Sequence, residues 1–185
     1  MNKEITEKGV QSKNIAWFLP RPKKDHYKGG MPLYAEEWLL KLAGDILGFE
    51  DWKKMRILNL FCGTNKYGTK IDIKSEVNPD IIADAHNFSD KIVGTFAVIL
   101  ADPPYSDKES KELYGTGKLN YKKWTTECDK RLSDGGILIV YHKYIVPNPN
   151  PKKYKIVKRV FIGNRTYHIP RVAIFFCKKL SRSST

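Results

Sequence analysis

The sequence predicts an α/β domain: a mostly parallel sheet with one antiparallel element at the end of the chain. Three observations predict it. Short apolar runs recur between residues 56 and 100, separated by polar and turn-forming residues. One of them, Phe96-Ala97-Val98-Ile99-Leu100, has no polar interruption, which is the pattern of a strand buried on both faces. The last two runs, Ile156–Ile162 and Val172–Cys177, flank a polar loop and therefore predict an antiparallel pair.

Taken in order, residues 1–13 are polar and read as a loose N-terminal segment. Residues 17–32 are rich in Pro, Gly and Lys with aromatics between them, which is loop composition. Pro32 then opens a helix whose apolar positions, Leu33, Trp38, Leu39, Leu42, Ile46 and Leu47, keep a near-helical period. Strands follow at 56–61, 70–73, 80–83 and 96–100. An amphipathic helix over 119–132 carries Trp124 at helical spacing with Leu119, Cys128 and Leu132, a core pattern. A fifth strand spans 136–141, and the closing pair supplies the sixth and seventh. Strands alternating with helices and ending in a hairpin describe an α/β domain with an antiparallel edge element.

The chain has 185 residues, enough for a single domain over 1–185 with a real core and too few for a large separate target-recognition domain. It contains no apolar run of membrane-spanning length and no signal-peptide pattern, so no membrane partner is expected. Cys62, Cys128 and Cys177 are far apart and form no CxxC pair. Neither a disulfide framework nor a zinc site is expected, and a reducing, cytoplasmic location is.

The formal charge of +13 is unevenly spread. Residues 135–185 hold 11 Lys/Arg and no acid, leaving 22 Lys/Arg against 20 Asp/Glu, or +2, for residues 1–134. A one-signed segment in an otherwise balanced chain points to a polyanion, here DNA or RNA.

Asp102-Pro103-Pro104-Tyr105 stands just past the fourth strand, and ligands of open α/β sheets bind at the carboxyl ends of strands. Asp-Pro alone is also turn chemistry, so the other strand ends decide. Asn59-Leu60-Phe61-Cys62-Gly63-Thr64 ends the first strand, where Gly63 lets backbone approach a ligand closely. Asp72 ends the second, placed to bind a ribose diol. Only nine positions separate Gly63 from Asp72, so no multi-turn helix fits and residues 65–68 must be a short loop. That disfavours a pyrophosphate on a helix N-terminus, and with it NAD. The third strand ends in Asp84-Ala85-His86, where a carboxylate can accept from an adenine amino group.

In this arrangement the sequence resembles the class I S-adenosylmethionine-dependent methyltransferases over roughly residues 30–178. Phe61-Cys62-Gly63, Asp72, Asp84-Ala85 and Asp102-Pro103-Pro104-Tyr105 match that family's motifs in order. Asn59 departs from the acid usual there, and the loop lacks a second glycine. The resemblance implies a Rossmann-like, seven-stranded, mostly parallel sheet with an antiparallel C-terminal strand and helices on both faces. It implies S-adenosyl-L-methionine as cofactor, held by Asn59, Phe61, Cys62, Gly63, Thr64, Asp72, Ile73, Asp84, Ala85 and Asp102. Gly29-Gly30-Met31-Pro32-Leu33 is similar to the element that closes over the methionine end, which adds Gly30 and Met31. The Asp-initial tetrapeptide resembles the amino-methyltransferases, with adenine N6 in DNA or RNA as the usual target. Cytosine N4, guanine N2 and a non-catalytic binding module of the same fold are the alternatives.

The chemistry of the tetrapeptide follows from its groups. An exocyclic amine is a poor nucleophile because its lone pair is delocalised into the ring. Two acceptors on its N–H bonds would draw the nitrogen toward tetrahedral geometry. Asp102 offers a carboxylate oxygen and Pro103 a carbonyl that consecutive prolines keep pointed. Tyr105 can stack on the base, and a base inside a duplex would have to be flipped. Trp17, Phe18, His26 and Tyr27 form an aromatic and basic group suited to an unpaired nucleotide, or else cover the core. Lys143, Lys152, Lys153, Lys155, Lys158, Arg159, Arg165 and Arg171 are the candidate phosphate contacts. His86 reads as a loop residue beside the adenine and Cys62 as a small packing residue. Specificity is left to loops 17–32, 103–118 and 143–170, or to a protein partner.

Overall fold

The computed structural model describes residues 13–20, 30–106, 108, 110–111, 118–163 and 170–180. Its elements are β1 (Asn14–Phe18), α1 (Ala35–Leu47), β2 (Ile57–Leu60), β3 (Thr69–Asp72), β4 (Ile81–Ile82), β5 (Phe96–Ala101), α2 (Tyr121–Arg131), β6 (Leu132–His142), β7 (Tyr154–Gly163) and β8 (Arg171–Lys178). The strands form one sheet in the order β1-β7-β8-β6-β5-β2-β3-β4. Every neighbouring pair is parallel except those made by β8, which runs antiparallel to β6 and to β7. Helices cover both faces, as expected.

The sheet has eight strands, not seven. Residues 14–18, Asn-Ile-Ala-Trp-Phe, form an edge strand parallel to β7, with Trp17 opposite Ile162 and Phe18 opposite Gly163. Trp17 and Phe18 therefore belong to a strand and not to the loop that their Pro- and Lys-rich neighbours indicated. Five residues, among them the β-branched Ile15 and the aromatic Trp17 and Phe18, suffice once the edge of β7 supplies their backbone partners. The remaining loop candidates His26 and Tyr27 lie outside the described residues.

Local chemistry sets the helix ends. Glu36 and Glu37 occupy the first turn of α1, where the helix dipole favours acids, and Gly48, at φ 78, closes it by donating to the Gly44 carbonyl. The Asn120 side chain caps α2 by accepting from Lys123 N at 3.0 Å, so this helix starts at Tyr121, two residues after the expected start. β6 begins at Leu132, directly after α2. Leu132 pairs with Phe96 and Ile137 with Val98, so residues 133–136 form an irregularity in β6 opposite β5.

Alternation along the strands divides the core in two. Leu58, Leu60, Ile99, Ala101, Leu138 and Val140 pack with Trp124 and Cys128 of α2. Ile57, Val98, Leu100, Ile137 and Ile139 pack with Ala35, Leu39, Leu40 and Ala43 of α1. Residues 61–68 join β2 to β3 as a short loop, as the sequence spacing requires. Gly68 makes that loop possible. It sits at φ 74, and a Cβ there would lie 2.4 Å from the Ile57 carbonyl oxygen. No described helix is long and apolar enough to cross a membrane.

Candidate active site

The chain leaves β2 toward β3 on one side and leaves β5 toward β6 on the other, while β2 and β5 are neighbours. That divergence opens a crevice at the carboxyl ends of these two strands, the place where open α/β sheets bind ligands. Leu60 pairs with Ala101 and with Ile71, and Asp72 pairs with Ile82. Register thus brings Asn59–Thr64, Asp72, Asp84 and Asp102 to one end of the sheet.

A cavity of about 250 Å³ lies there, lined by Leu60, Phe61, Asp72, Ile73, Asp84 and Pro104 among others. Phe61 holds φ 56, a costly left-handed conformation for an aromatic residue, and its ring stands edge-on to Trp124 at 5.6 Å. Asp72 is buried. Its Oδ2 accepts from Gly63 N at 3.0 Å and its Oδ1 from Lys74 N at 3.0 Å, so it ties the loop after β2 to the end of β3. Asp84 Oδ1 accepts from His86 N at 2.8 Å and lies 2.9 Å from His86 Nδ1. His86 Nε2 accepts from Asn120 N at 3.0 Å, so the proton sits on Nδ1 and points at Asp84. Both ring nitrogens are engaged, consistent with a structural loop role for His86. Cys62 is buried, and burial, then the nearby Asp72 charge, pushes its thiol pKa up to about 12. It is an inert packing residue.

Asp102, Pro103, Pro104 and Tyr105 follow β5 directly, with Asp102 N 3.4 Å from the Leu60 carbonyl. The Tyr105 hydroxyl donates to Asp102 Oδ1 at 3.2 Å. Burial, then the Asp102 charge, raises the Tyr105 pKa, so it stays protonated and remains a donor. Arg171 lies over the Tyr105 ring at 4.9 Å, and His142 meets its edge at 5.0 Å. A second cavity of about 180 Å³ begins at the tetrapeptide and is walled by Pro103, Pro104, Tyr105, Tyr121, Trp124 and His142, with Leu119 and Val146. It shares Pro104 and Leu119 with the first.

The structure redistributes several expected residues. Asn59 is fully buried on the α1 face and does not line the first cavity. Thr64 and Met31 line a third cavity of about 330 Å³ against the start of α1. Gly30 directly precedes Met31. Lys158 is 6% exposed and is no surface contact, which corrects its place among the phosphate ligands. Lys152, Lys153 and Lys155 are exposed but stand at the start of β7. Because β7 runs parallel to β6, its start is at the amino end of the sheet, opposite the site. As candidate phosphate contacts they therefore stand away from the site. Arg159 sits beside Asn14 of β1, and Arg171 is at the tetrapeptide. Lys143 directly follows β6 at the carboxyl end. Arg165 and His168 lie outside the described residues. Sequence reasoning missed Glu36, Tyr121, His142 and Val146. Of these, only Tyr121 carried a signal, as a residue of the expected helix that bears Trp124.

No protein-family model matches the chain, and neither does any curated protein. Among solved structures it is similar to TrmN from Thermus thermophilus at TM-score 0.54 and 16% identity, over 80% of this chain and 49% of that one. It is also similar to the N-methyltransferase NodS from Bradyrhizobium japonicum in complex with S-adenosyl-L-homocysteine. That match has TM-score 0.53 and 14% identity, over 77% of this chain and 85% of NodS. The chain thus spans about half of TrmN but most of NodS. A third match is a methyltransferase from Streptococcus mutans described as putative and S-adenosylmethionine-dependent, at TM-score 0.50 and 13% identity, over 81% and 50% of the two chains. The fold is that of S-adenosylmethionine-dependent methyltransferases. The loop after β2, Asp72, Asp84 and the tetrapeptide all lie at the carboxyl end of the parallel strands. The extra strand β1 lies at the far edge from them.

Proposed function

We propose that this protein transfers a methyl group from S-adenosylmethionine to an exocyclic amine, with adenine N6 in DNA or RNA as the target. The observation that carries this reading is the pair of adjoining cavities that meet at Pro104. One is bounded by two carboxylates and the other by aromatic rings.

The first cavity fits an adenosine. Ile73, Pro104 and Leu119 offer apolar faces for a flat ring, while Asp72 and Asp84 offer acceptors to a ribose diol and an amino group. The cofactor would supply a strongly electrophilic methyl, so the protein needs no strong base. The work of this chain is to orient the amine and stabilise the charge that develops on it. The Tyr105 hydroxyl holds Asp102 Oδ1, and the Asp102 carboxylate is the first acceptor for an incoming N–H. The Pro103 carbonyl is the second acceptor. The second cavity, with Tyr121, Trp124 and His142 on its walls, receives the base after it leaves the stack. Lys143 and the net charge of +13 favour a polyanionic substrate.

The test is incubation with labelled S-adenosylmethionine and separate DNA, RNA and protein pools, followed by identification of the modified product. N6-methyladenosine or its deoxy form is the expected product. Label on protein alone, or on no pool, would overturn the nucleic-acid reading. S-adenosylhomocysteine should raise the melting temperature by mass action, whereas NAD should not.

A further inference from the structure

We infer that Glu36 is a positioning residue for the cofactor loop, interlocked with Asn59 so that neither side chain can change its hydrogen-bonding sense alone. The inference rests on the proposed reading that the loop after β2 holds S-adenosylmethionine.

The loop over residues 61–68 has no helix of its own to fix it. From the β3 side, Asp72 holds Gly63 N. From the α1 side, Glu36 does the rest. Its Oε1 accepts from Tyr67 N at 3.0 Å and from Asn59 Nδ2 at 2.9 Å, and Lys66 N reaches Oε2 at 2.9 Å and Oε1 at 3.0 Å. One carboxylate from the first turn of a neighbouring element therefore gathers two successive backbone N–H groups, as a bound anion does in a loop of this kind. The loop is clamped between two carboxylates, one from the helix before β2 and one from the strand after it.

Asn59 shows why the clamp has a fixed sense. Its Nδ2 donates to Glu36 Oε1 and to the Tyr67 carbonyl at 2.7 Å, while its Oδ1 accepts from Asn65 Nδ2 at 2.9 Å. Both hydrogens and the oxygen are used, and the residue is fully buried. An Asp here would set a carboxylate oxygen against two acceptors in a site closed to water. Glu36 faces Lys66 and Tyr67 from the loop, Asn59 from β2, and Tyr34 and Glu37 from its own end of α1. Burial, only partly offset by the hydrogen bonds from Tyr67, Lys66 and Asn59, raises its pKa. Glu36 also lines the third cavity with Met31 and Thr64, so the segment leading into α1 and the cofactor loop share one anchor.

The experiment is S-adenosylhomocysteine titration of wild type, Glu36→Gln, Glu36→Ala and Asn59→Asp between about pH 5 and pH 8, with melting curves of the unliganded proteins in parallel. Asn59→Asp should bind on the order of tenfold more weakly at the alkaline end. It should recover toward acid, because a close carboxylate pair takes up one proton. Glu36→Ala should weaken binding by a similar factor without that recovery. If Asn59→Asp does not fold at the alkaline end, Glu36→Gln decides, since its amide opposes Lys66 N or Asn59 Nδ2 and should still weaken binding several-fold. No binding by wild type would overturn the proposed function. Wild-type binding matched by Asn59→Asp at alkaline pH, or by Glu36→Gln, would overturn the role of Glu36 alone.

Discussion

Basic residues of the last quarter of the chain stand at both ends of the sheet, and they do different things there. At the carboxyl end, Arg171 lies on the ring of Tyr105, whose hydroxyl holds Asp102. At the amino end, Lys153 Nζ reaches Asp129 Oδ2 at 2.5 Å, and Lys178 Nζ donates to the carbonyls of Asp129 and Leu132 at 2.8 and 2.9 Å. There the cations close the C-terminus of α2, where the helix dipole favours positive charge. The ten residues of β7 separate the two ends by about 30 Å at the rise of an extended strand. A single block of charge in the sequence is therefore split by strand direction into a group that serves the site and a group that serves the fold.

The largest test of this division is at the carboxyl end. Asp102→Ala removes the proposed acceptor of the target amine, and turnover should fall by on the order of 10²–10³ with S-adenosylhomocysteine affinity nearly intact. Turnover near the wild-type level would reduce the tetrapeptide to a turn. Next is Arg171. Arg171→Ala removes one support of the Tyr105 ring and should lower kcat about tenfold with cofactor affinity unchanged. Arg171→Lys should recover only part, because an ammonium lacks the flat face that packs on the ring. If kcat stays the same and only the substrate KM rises, Arg171 is a phosphate contact and not a support.

Smaller effects belong to the amino end. Asp129→Asn should lower stability by about 1 kcal/mol while leaving kcat alone, a modest figure because the group is partly solvated. Burial pulls the Asp129 pKa up, but hydrogen bonds from Lys153 and Tyr154 outweigh it and leave it below the ordinary carboxylate value. Its contribution is therefore present above that ordinary value and is lost as pH falls through the lowered one. Acid melting curves of Asp129→Asn should show a flatter decline than those of wild type. The smallest effect is expected from Lys152→Glu with Lys155→Glu. Substrate KM and its salt dependence should stay within about twofold of wild type, since neither residue is near the site. A steep rise in KM would make the amino end a binding surface and end the contrast.

Much of the fold and part of the site were legible in the residues. The apolar run at 96–100 identified the central strand. The short Gly63–Asp72 spacing excluded a crossover helix, and Asp72, Asp84 and Asp102 all appear where strands end. These are signals carried within a few residues. The edge strand β1 was hidden because its backbone partner is β7, about 145 positions later. Glu36 was hidden for the same reason, since nothing around residue 36 records the amides of Lys66 and Tyr67 that it binds.

The sequence alone determined the strand and helix alternation, the end of each strand at which chemistry can sit, and the total charge. Only the tertiary structure decided which cations reach the site, that Lys158 is buried, that Asn59 answers to Glu36, and that Arg171 supports Tyr105. Local pattern fixes an element because its causes are neighbours in the chain. Direction and partnership are set by packing between segments that the sequence keeps far apart, and no window short enough to read contains both partners.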